Sequence, residues 1–404
     1  MRFTLFENPA AVPAIEAVPV PGPAPIEYHR TVPGYAPTAL YELPRVAERL
    51  GVARVLLKDE SSRLGLPAFK MLGASWAVAY AVRRQWLPDV EGVLSPAELG
   101  ERLRDRGSKR LVAATDGNHG RGVARMAKLM GIGCLIFVPE GLAASRIEAI
   151  ESEGAEVRVV AGSYDDAIRR SAQEAGENSI VVSDTSWEGY RDIPRQVTHG
   201  YSTMFAEVDD ALRDAGVEAP TVLALQAGVG SFAAAGLLHY RSGDHGSRPR
   251  TVIVEPIDAD CLLRSARAGE LTEAPPPHTS TMAGLNCGLP SQLTWPIVQR
   301  TADVFIGIED EAAYEAMRLL AASGVVSGES GAAGLGGLLA VAEHGSAEQR
   351  AALGLVPDAV VLLVNTEGAT DPVNYERVVG IPPEQVEAEA PERRAAAGAI
   401  RHGN

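Results

Sequence analysis

The sequence predicts an α/β fold built from two doubly wound parallel-sheet domains. Two observations carry the prediction. Short apolar runs alternate with helix-like stretches from about residue 110 to 183, and the same alternation returns from about residue 222 to 365. Strands read as continuous apolar runs when both faces of a parallel sheet are covered by helices. The composition agrees: 46% of the 404 residues are hydrophobic, only 5% are aromatic, and 41 are glycine. Such a chain can bury a sizeable core with tight helix–sheet packing, and its length suits two or three domains.

Taken in order, residues 1–40 are proline-rich without strong periodicity and read as an extended arm. The stretch Pro37–Val52 then turns into a first short helix. Val55-Leu56-Leu57 reads as a buried strand, followed by Lys58-Asp59-Glu60 and a loop containing Gly and Pro. After Phe69-Lys70 no breaker occurs until Pro88, which predicts a helix through Gln85. Ser95–Gly107 reads as another helix, with Ser95 as cap, Pro96 in the first turn and Glu98 at capping-box spacing.

The first regular block has strands at Leu111–Ala114, Cys134–Val138, Glu156–Val160 and Ile180–Ser183. Helices fall at His119–Met130, Ala144–Ser152 and Tyr164–Ala175. A long helical region, about Gln196–Ala215, leads to the second block. Its strands are Val222–Gln226, Thr251–Glu255, Val304–Ile308 and Ala359–Asn365, with helices at Ala233–His239, Ala259–Ala268 and Asp310–Ala322. Two such blocks meeting at their strand ends predict a cleft. The tail after about Pro382, rich in Ala, Glu and Arg, reads as disordered.

The net charge of −15, from 37 basic and 52 acidic residues, argues against nucleic acid or an anionic membrane as partner. No apolar run is long enough to span a bilayer, and the first residues lack a basic region followed by an apolar core. The expected compartment is the cytoplasm. Cys134, Cys261 and Cys287 do not make a disulfide framework. Cys261 and Cys287 share one irregular stretch, yet two free thiols are the plainer reading in a reducing compartment.

Four segments have the residue types for chemistry. Lys70 sits at a loop-to-helix junction between Phe69 and Met71. Apolar neighbours disfavour its ammonium, so its amine can attack a carbonyl, as Schiff-base lysines require. Taken alone, an ordinary surface lysine at a helix start is the commoner case. Ala114–Gly122 (ATDGNHGRG) is a strand-to-helix turn. Asp116 is a strand-end acid able to act as base, Asn118 can bond a phenolic oxygen or a carboxylate, and the backbone amides can hold an anion. Gln226–Ser231 (QAGVGS) offers Gly228, Val229, Gly230 and Ser231 as a phosphate cradle. It has neither a third glycine nor the Lys-Ser/Thr pair of a nucleotide loop. Asp184 is a second strand-end acid, and Asn365 and Thr366 end the last strand at the expected cleft edge.

Together and in this order, the segments resemble the fold-type II pyridoxal-phosphate enzymes, the relatives of tryptophan synthase β, threonine deaminase and cysteine synthase. Within that group they are most similar to the diaminopropionate ammonia-lyases. The resemblance rests on FKMLGA at Phe69–Ala74, TDGNHGRG at Thr115–Gly122, DTSWEGY at Asp184–Tyr190, QAGVGS, and VEP at Val254–Pro256. MAGLNCG at Met282–Gly288, SGESGA at Ser327–Ala332 and TEGATDP at Thr366–Pro372 extend it, so that it runs from about Tyr35 to Asp371. Asp116 is the discriminating letter, because threonine deaminases more usually carry Ser there.

The resemblance implies a large cofactor-binding domain of residues 1–79 and 206–380, a small α/β domain of residues 80–205, and a tail at 381–404. It implies pyridoxal phosphate held by Lys70, its phosphate by Gly228, Val229, Gly230 and Ser231, and its ring oxygen by Asn118. It implies elimination of ammonia from D- or L-2,3-diaminopropionate to give pyruvate. Asp116 would be the base for the D isomer, Lys70 the base for the L isomer, and Asp184 the contact for the β-ammonium group. No metal is called for, the partner is a small amino acid, and the expected assembly is a homodimer. Asn365 stands where relatives often place Ser or Thr near the pyridine nitrogen; Asn365 and Thr366 both remain candidates for that contact, to an unprotonated ring. Two rivals share the scaffold: a serine/threonine dehydratase or β-replacement synthase, which needs neither Asp116 nor Asp184, and a non-catalytic binding protein.

Overall fold

The computed structural model describes residues 1–13, 24–115, 117–242, 248–397 and 400–402. Its strands are β1 (Phe3–Glu7), β2 (Leu40–Glu42), β3 (Arg54–Asp59), β4 (Arg110–Ala114), β5 (Gly133–Pro139) and β6 (Glu156–Val160). They continue as β7 (Ser179–Val181), β8 (Val222–Gln226), β9 (Arg250–Pro256), β10 (Val304–Ile308), β11 (Val360–Asn365) and β12 (Ile400–His402). The chain divides into two compact units. One holds Met1–Pro19, Pro37–Ser62 and Met204–Asn404; the other holds Val20–Ala36 and Arg63–Thr203.

The larger unit carries an eight-stranded sheet in the order β1-β10-β9-β8-β11-β3-β2-β12. The central five strands run parallel, as expected. Strands β8, β10 and β11 are buried along their whole length, as a sheet covered on both faces requires. Both edges are antiparallel, which the sequence reading did not foresee. Residues 3–7 do not form part of an extended arm. They pair with β10, Phe3 opposite Ile308 and Glu7 opposite Val304, because alternating side chains let β1 cover that edge.

The described part of the tail is likewise folded. Helices Pro383–Ala388 and Ala390–Ala397 follow the last core strand, and β12 pairs with β2. Val386 is fully buried, and the Arg394 guanidinium lies 4.0 Å from the Tyr41 ring centroid while donating to the Gly324 carbonyl. Composition suggested disorder; a few well-placed apolar contacts and one cation–π contact oppose it.

The smaller unit has a four-stranded parallel sheet, β6-β5-β4-β7. Its first helix behaves as the capping signal demands. The Ser95 hydroxyl accepts from the Glu98 amide and the Glu98 carboxylate accepts from the Ser95 amide, opening a helix that spans Pro96–Leu103. The expected long helix at 196–215 is two helices, Asp192–Gly200 and Ser202–Ala215, interrupted at Tyr201.

The units do not divide at 79/80 as the resemblance implied. The whole Lys70–Trp86 helix belongs to the smaller unit, because it packs against the Asn118–Met130 and Asp192–Gly200 helices. Small residues permit this. A Cβ on Gly73 would lie 2.5 Å from the Tyr201 ring, and one on Gly200 would lie 2.5 Å from the Leu72 carbonyl. His29 joins the same unit: fully buried, its ring bonds Thr203 Oγ1 (2.7 Å), the Leu72 carbonyl (3.0 Å) and Ser75 Oγ (3.0 Å). No helix among the described residues is long and apolar enough to cross a membrane.

Candidate active site

Lys70 is the first residue of the Lys70–Trp86 helix, after Phe69. The Phe69 ring packs on Tyr201 with centroids 4.6 Å apart, and Lys70 Nζ lies 5.8 Å from the Phe69 centroid. The apolar neighbours expected from sequence are therefore present, but they do not define the environment. Lys70 Nζ donates to Asp184 Oδ2 at 2.8 Å, so the lysine sits in an ion pair rather than a purely desolvating pocket. The structure thus brings together two residues separated by more than a hundred positions in the chain.

Asp184 follows β7, and its position is over-determined. The Tyr190 hydroxyl donates to the Val181 carbonyl (2.7 Å) and accepts from the Ser183 amide (3.0 Å), and the Tyr190 ring stacks on Trp187 at 4.1 Å. The DTSWEGY segment is a loop folded back on its own strand end. Tyr164, at the start of a helix, donates to Asp184 Oδ1 at 3.3 Å. Burial alone would push the Asp184 carboxyl up. The Lys70 ammonium, the neighbouring His119 ring and the Tyr164 hydroxyl more than offset it and hold the carboxyl well below the usual carboxylate range. Sequence reading missed Tyr164; its only signal was a tyrosine at a helix start.

The TDGNHG turn joins β4 to the Asn118–Met130 helix. Gly117 adopts φ +150°, and the Thr115 hydroxyl accepts from the amides of Gly117 (2.9 Å) and Gly120 (3.0 Å). Those two amides are not available to an anion, contrary to the sequence expectation, because Thr115 already caps the helix. Gly120 allows the close approach: a Cβ there would lie 2.4 Å from the Thr115 methyl. Asn118 opens the helix, and His119 Nε2 donates to the Val182 carbonyl at 2.9 Å, tying the turn to the strand end that bears Asp184. Asp116 lies outside the described residues.

In the larger unit, the QAGVGS turn joins β8 to the Ser231–Arg241 helix. Its carbonyls all point into the protein. Gly228 O accepts from the Cys261 thiol, Val229 O from the Ser291 amide (2.9 Å) and the Thr294 hydroxyl (3.2 Å), and Gly230 O from the Ala234 amide (2.8 Å). In a trans peptide the next N–H points opposite to the carbonyl. The amides of Val229, Gly230 and Ser231 therefore face the other way, and none has a partner among the described residues. Gly230 has φ +98°, a left-handed conformation that glycine alone adopts without strain. A Cβ on Gly228 would lie 2.7 Å from Cys287 Sγ, so the MAGLNCG segment packs directly on the turn.

Beneath this turn Glu255 accepts from the amides of Leu262 and Leu263, both at 2.8 Å. Complete burial nevertheless pushes its carboxyl up to about 8. Cys134, Cys261 and Cys287 form no disulfide among the described residues.

Strand β11, the parallel neighbour of β8, ends in Asn365, and Thr366 follows it. The two candidates for one contact separate here. Asn365 is fully buried and its Nδ2 donates to Asp59 Oδ1 (2.8 Å) and the Val326 carbonyl (2.9 Å). Thr366 Oγ1 accepts from Gln226 Nε2 at 2.9 Å. Sequence reading quoted Gln226 as part of a motif without assigning it a role.

The pyridoxal-phosphate dependent enzyme family matches residues 32–366. The chain is 40% identical over 361 residues to the diaminopropionate ammonia-lyase of Escherichia coli (strain K12), covering 87% of this chain and 89% of that one. Over 374 residues it is 37% identical to the diaminopropionate ammonia-lyase of Salmonella typhimurium, covering 88% and 90%. The chain belongs to the diaminopropionate ammonia-lyase family. A crystal structure of the Escherichia coli family member, in complex with an aminoacrylate-PLP azomethine reaction intermediate, superposes with a TM-score of 0.80 at 36% identity, covering 94% of this chain and 97% of that one. The fold is the expected fold-type II architecture, and the cofactor of the family is pyridoxal phosphate.

The residues present fit that group. The three outward amides of the QAGVGS turn lie at a helix N-terminus, where backbone donors and the helix dipole suit a phosphate, and a Cβ at Gly230 would be strained. Lys70, on a well-packed helix start beside a carboxylate, has the amine that would carry the aldehyde.

Proposed function

We propose that the protein eliminates ammonia from 2,3-diaminopropionate, D or L, to give pyruvate and ammonia. The 2.8 Å contact between Lys70 Nζ and Asp184 Oδ2 carries the reading. A carboxylate held ionised within reach of the lysine is a ready site for a second cation, and a diamine brings one where serine and threonine do not. Pyridoxal phosphate, when bound, supplies the electron sink that makes a substrate Cα proton acidic. The residues do the rest. Gly228, Val229, Gly230 and Ser231 hold the phosphate and Asn118 the ring oxygen.

Lys70 would hold the cofactor's aldehyde, and its amine, once free, would take the Cα proton of the L isomer. Asp116 takes that of the D isomer, whose proton points to the opposite face. Asp184 binds the β-ammonium group, which also relieves Lys70 of the carboxylate that favours its charged form. The assembly is a homodimer, as the family resemblance implies.

The test is pyruvate release from D- and L-2,3-diaminopropionate beside D- and L-serine and L-threonine, with added pyridoxal phosphate. Diamine turnover well above that of the hydroxy amino acids supports the reading; a preference for serine or threonine moves the protein to the dehydratases. Asp116→Asn is expected to lower D-isomer turnover by about 10²- to 10⁴-fold while sparing the L isomer. Equal loss of both would remove the two-base assignment.

A further inference from the structure

The helix that starts at Lys70 ends beside a cavity that the proposed chemistry does not use. This cavity of 380 Å³ lies within the smaller unit, between the second half of the helix and the loop that follows it. Its apolar wall includes Trp76, Leu87, Pro88, Val90 and Val93. Arg83 also lines it, about 20 Å along the helix from Lys70, and is half-buried there. Arg83 Nη2 donates to the Val90 carbonyl at 2.9 Å. Its Nε is buried, and neither Nε nor Nη1 has a hydrogen-bond partner among the described residues. No carboxylate among those residues pairs with Arg83, whereas the neighbouring Arg84 bonds Asp192 and the Tyr80 hydroxyl. Tyr28 lines the same cavity; it is 2% exposed, and its hydroxyl also lacks a partner. Trp76 adds no such demand, because its Nε1 donates to Gln196 Oε1 at 2.8 Å. A buried donor left without an acceptor is costly, and a guanidinium drawn partly out of water without a counter-ion is costlier.

We propose that this cavity binds a small apolar carboxylic acid. The carboxylate pairs with Arg83, and the hydrocarbon part lies against Trp76, Leu87 and Val90. The volume is at the lower end for small-molecule sites and suits a ligand of that size. An arginine fork matches a carboxylate in geometry and charge, and the wall around it is apolar, so the ligand has one charged end and one apolar end. The lining holds no Asp or Glu. An α-ammonium group would meet no counter-ion there, which favours an acid without an amine over an amino acid. The site shares no residue with the Lys70–Asp184 centre and does not depend on the cofactor reading.

The test is titration calorimetry on the full chain loaded with pyridoxal phosphate. The probe is 4-methylpentanoate, which carries no amine to react with the cofactor, and the control is its neutral amide. The acid is expected to bind with a Kd of about 0.1–1 mM, and at least about 10-fold more tightly than the amide, the worth of a hydrogen bond to a charged group. Arg83→Gln should remove that preference. Val93→Trp adds bulk to the lining from a side chain that is 36% exposed, and it should block the acid while leaving the melting temperature near that of the native protein. The comparison of acid with amide needs no variant, so it holds even if Arg83→Gln folds poorly. Saturable binding of the acid that prefers it to the amide and is lost in Val93→Trp supports the proposal. No saturable binding, equal binding of acid and amide, or full affinity retained in Val93→Trp overturns it. So does a native dimer that Val93→Trp dissociates, because a second copy of the chain would then cover the cavity.

Discussion

The two units prepare their strand ends in different ways. At the edge of the eight-stranded sheet the chemistry is neutral and built of backbone. The Gly228, Val229 and Gly230 carbonyls are hydrogen-bonded within the unit, Gln226 is locked by two carbonyls, and Asn365 has its amide spent on Asp59 and Val326. At the edge of the four-stranded sheet it is ionic. Lys70 meets Asp184, and Tyr164 and His119 tune the carboxylate. Neutral, pre-satisfied groups hold a ligand in one place without reorganising, whereas charged groups able to exchange partners move protons and recognise a cation. On the proposed reading, the larger unit is a mount and the smaller one a reaction centre.

The comparison breaks most sharply at Lys70. On the roles proposed above, Lys70→Ala removes both the covalent anchor and a base, and we expect diamine turnover to fall by at least about 10⁴-fold, while the phosphate turn still binds pyridoxal phosphate non-covalently. Loss of all cofactor binding, read by absorbance after gel filtration, would show that the larger unit is not an independent mount.

Asp184→Asn tests the ionic side next. It should lower kcat/KM for diaminopropionate by about 10- to 100-fold, the worth of a hydrogen bond to a charged group, with a smaller effect on serine. Equal losses on both substrates would deny Asp184 its role toward the β-ammonium group.

Acid sensitivity should also divide the units. Burial, with the Arg195 charge, pushes His199 in the smaller unit down to about 4 from 6.5. The unfolded chain binds a proton at this residue below about 6.5 while the folded chain does not until about 4. Stability from this source is therefore complete above about 6.5 and lost as the pH falls through that window, on the order of 3 kcal/mol in all. Melting temperatures measured across this range should fall, and His199→Phe should flatten the profile.

The smallest effect is expected at the mount. Gly230→Ala places a Cβ in a left-handed backbone, 3.1 Å from Thr294 Oγ1. It should cost roughly 1–2 kcal/mol of stability, read by urea denaturation, together with weaker phosphate binding. A loss in Gly230→Ala as large as that in Lys70→Ala would mean that the turn does more than hold an anion.

What was legible in the sequence is what repeats locally. Apolar runs between helix-like stretches marked the central parallel strands of both sheets, and Ser95-Pro96-Glu98 announced its capping box. The glycines of QAGVGS marked a turn that needs φ +98° at Gly230. These features depend on near neighbours and backbone sterics, so they survive without tertiary information. The sequence by itself also determined family and cofactor, through motifs spread over most of the chain.

Tertiary structure alone decided the pairings. Nothing near Lys70 in the chain names Asp184 as its partner, and nothing in QAGVGS shows that Gln226 points its amide at Thr366. Strand β1 and the last residues are weakly patterned, yet each covers a sheet edge whose unpaired backbone groups need partners. Asn365 and Thr366 are adjacent and both polar. Only the neighbours that reach them from β3, β8 and the Val326 loop set Asn365 against Asp59 and Thr366 against Gln226. Hydrogen bonds between residues far apart in the chain are set by packing geometry, which a linear pattern does not encode.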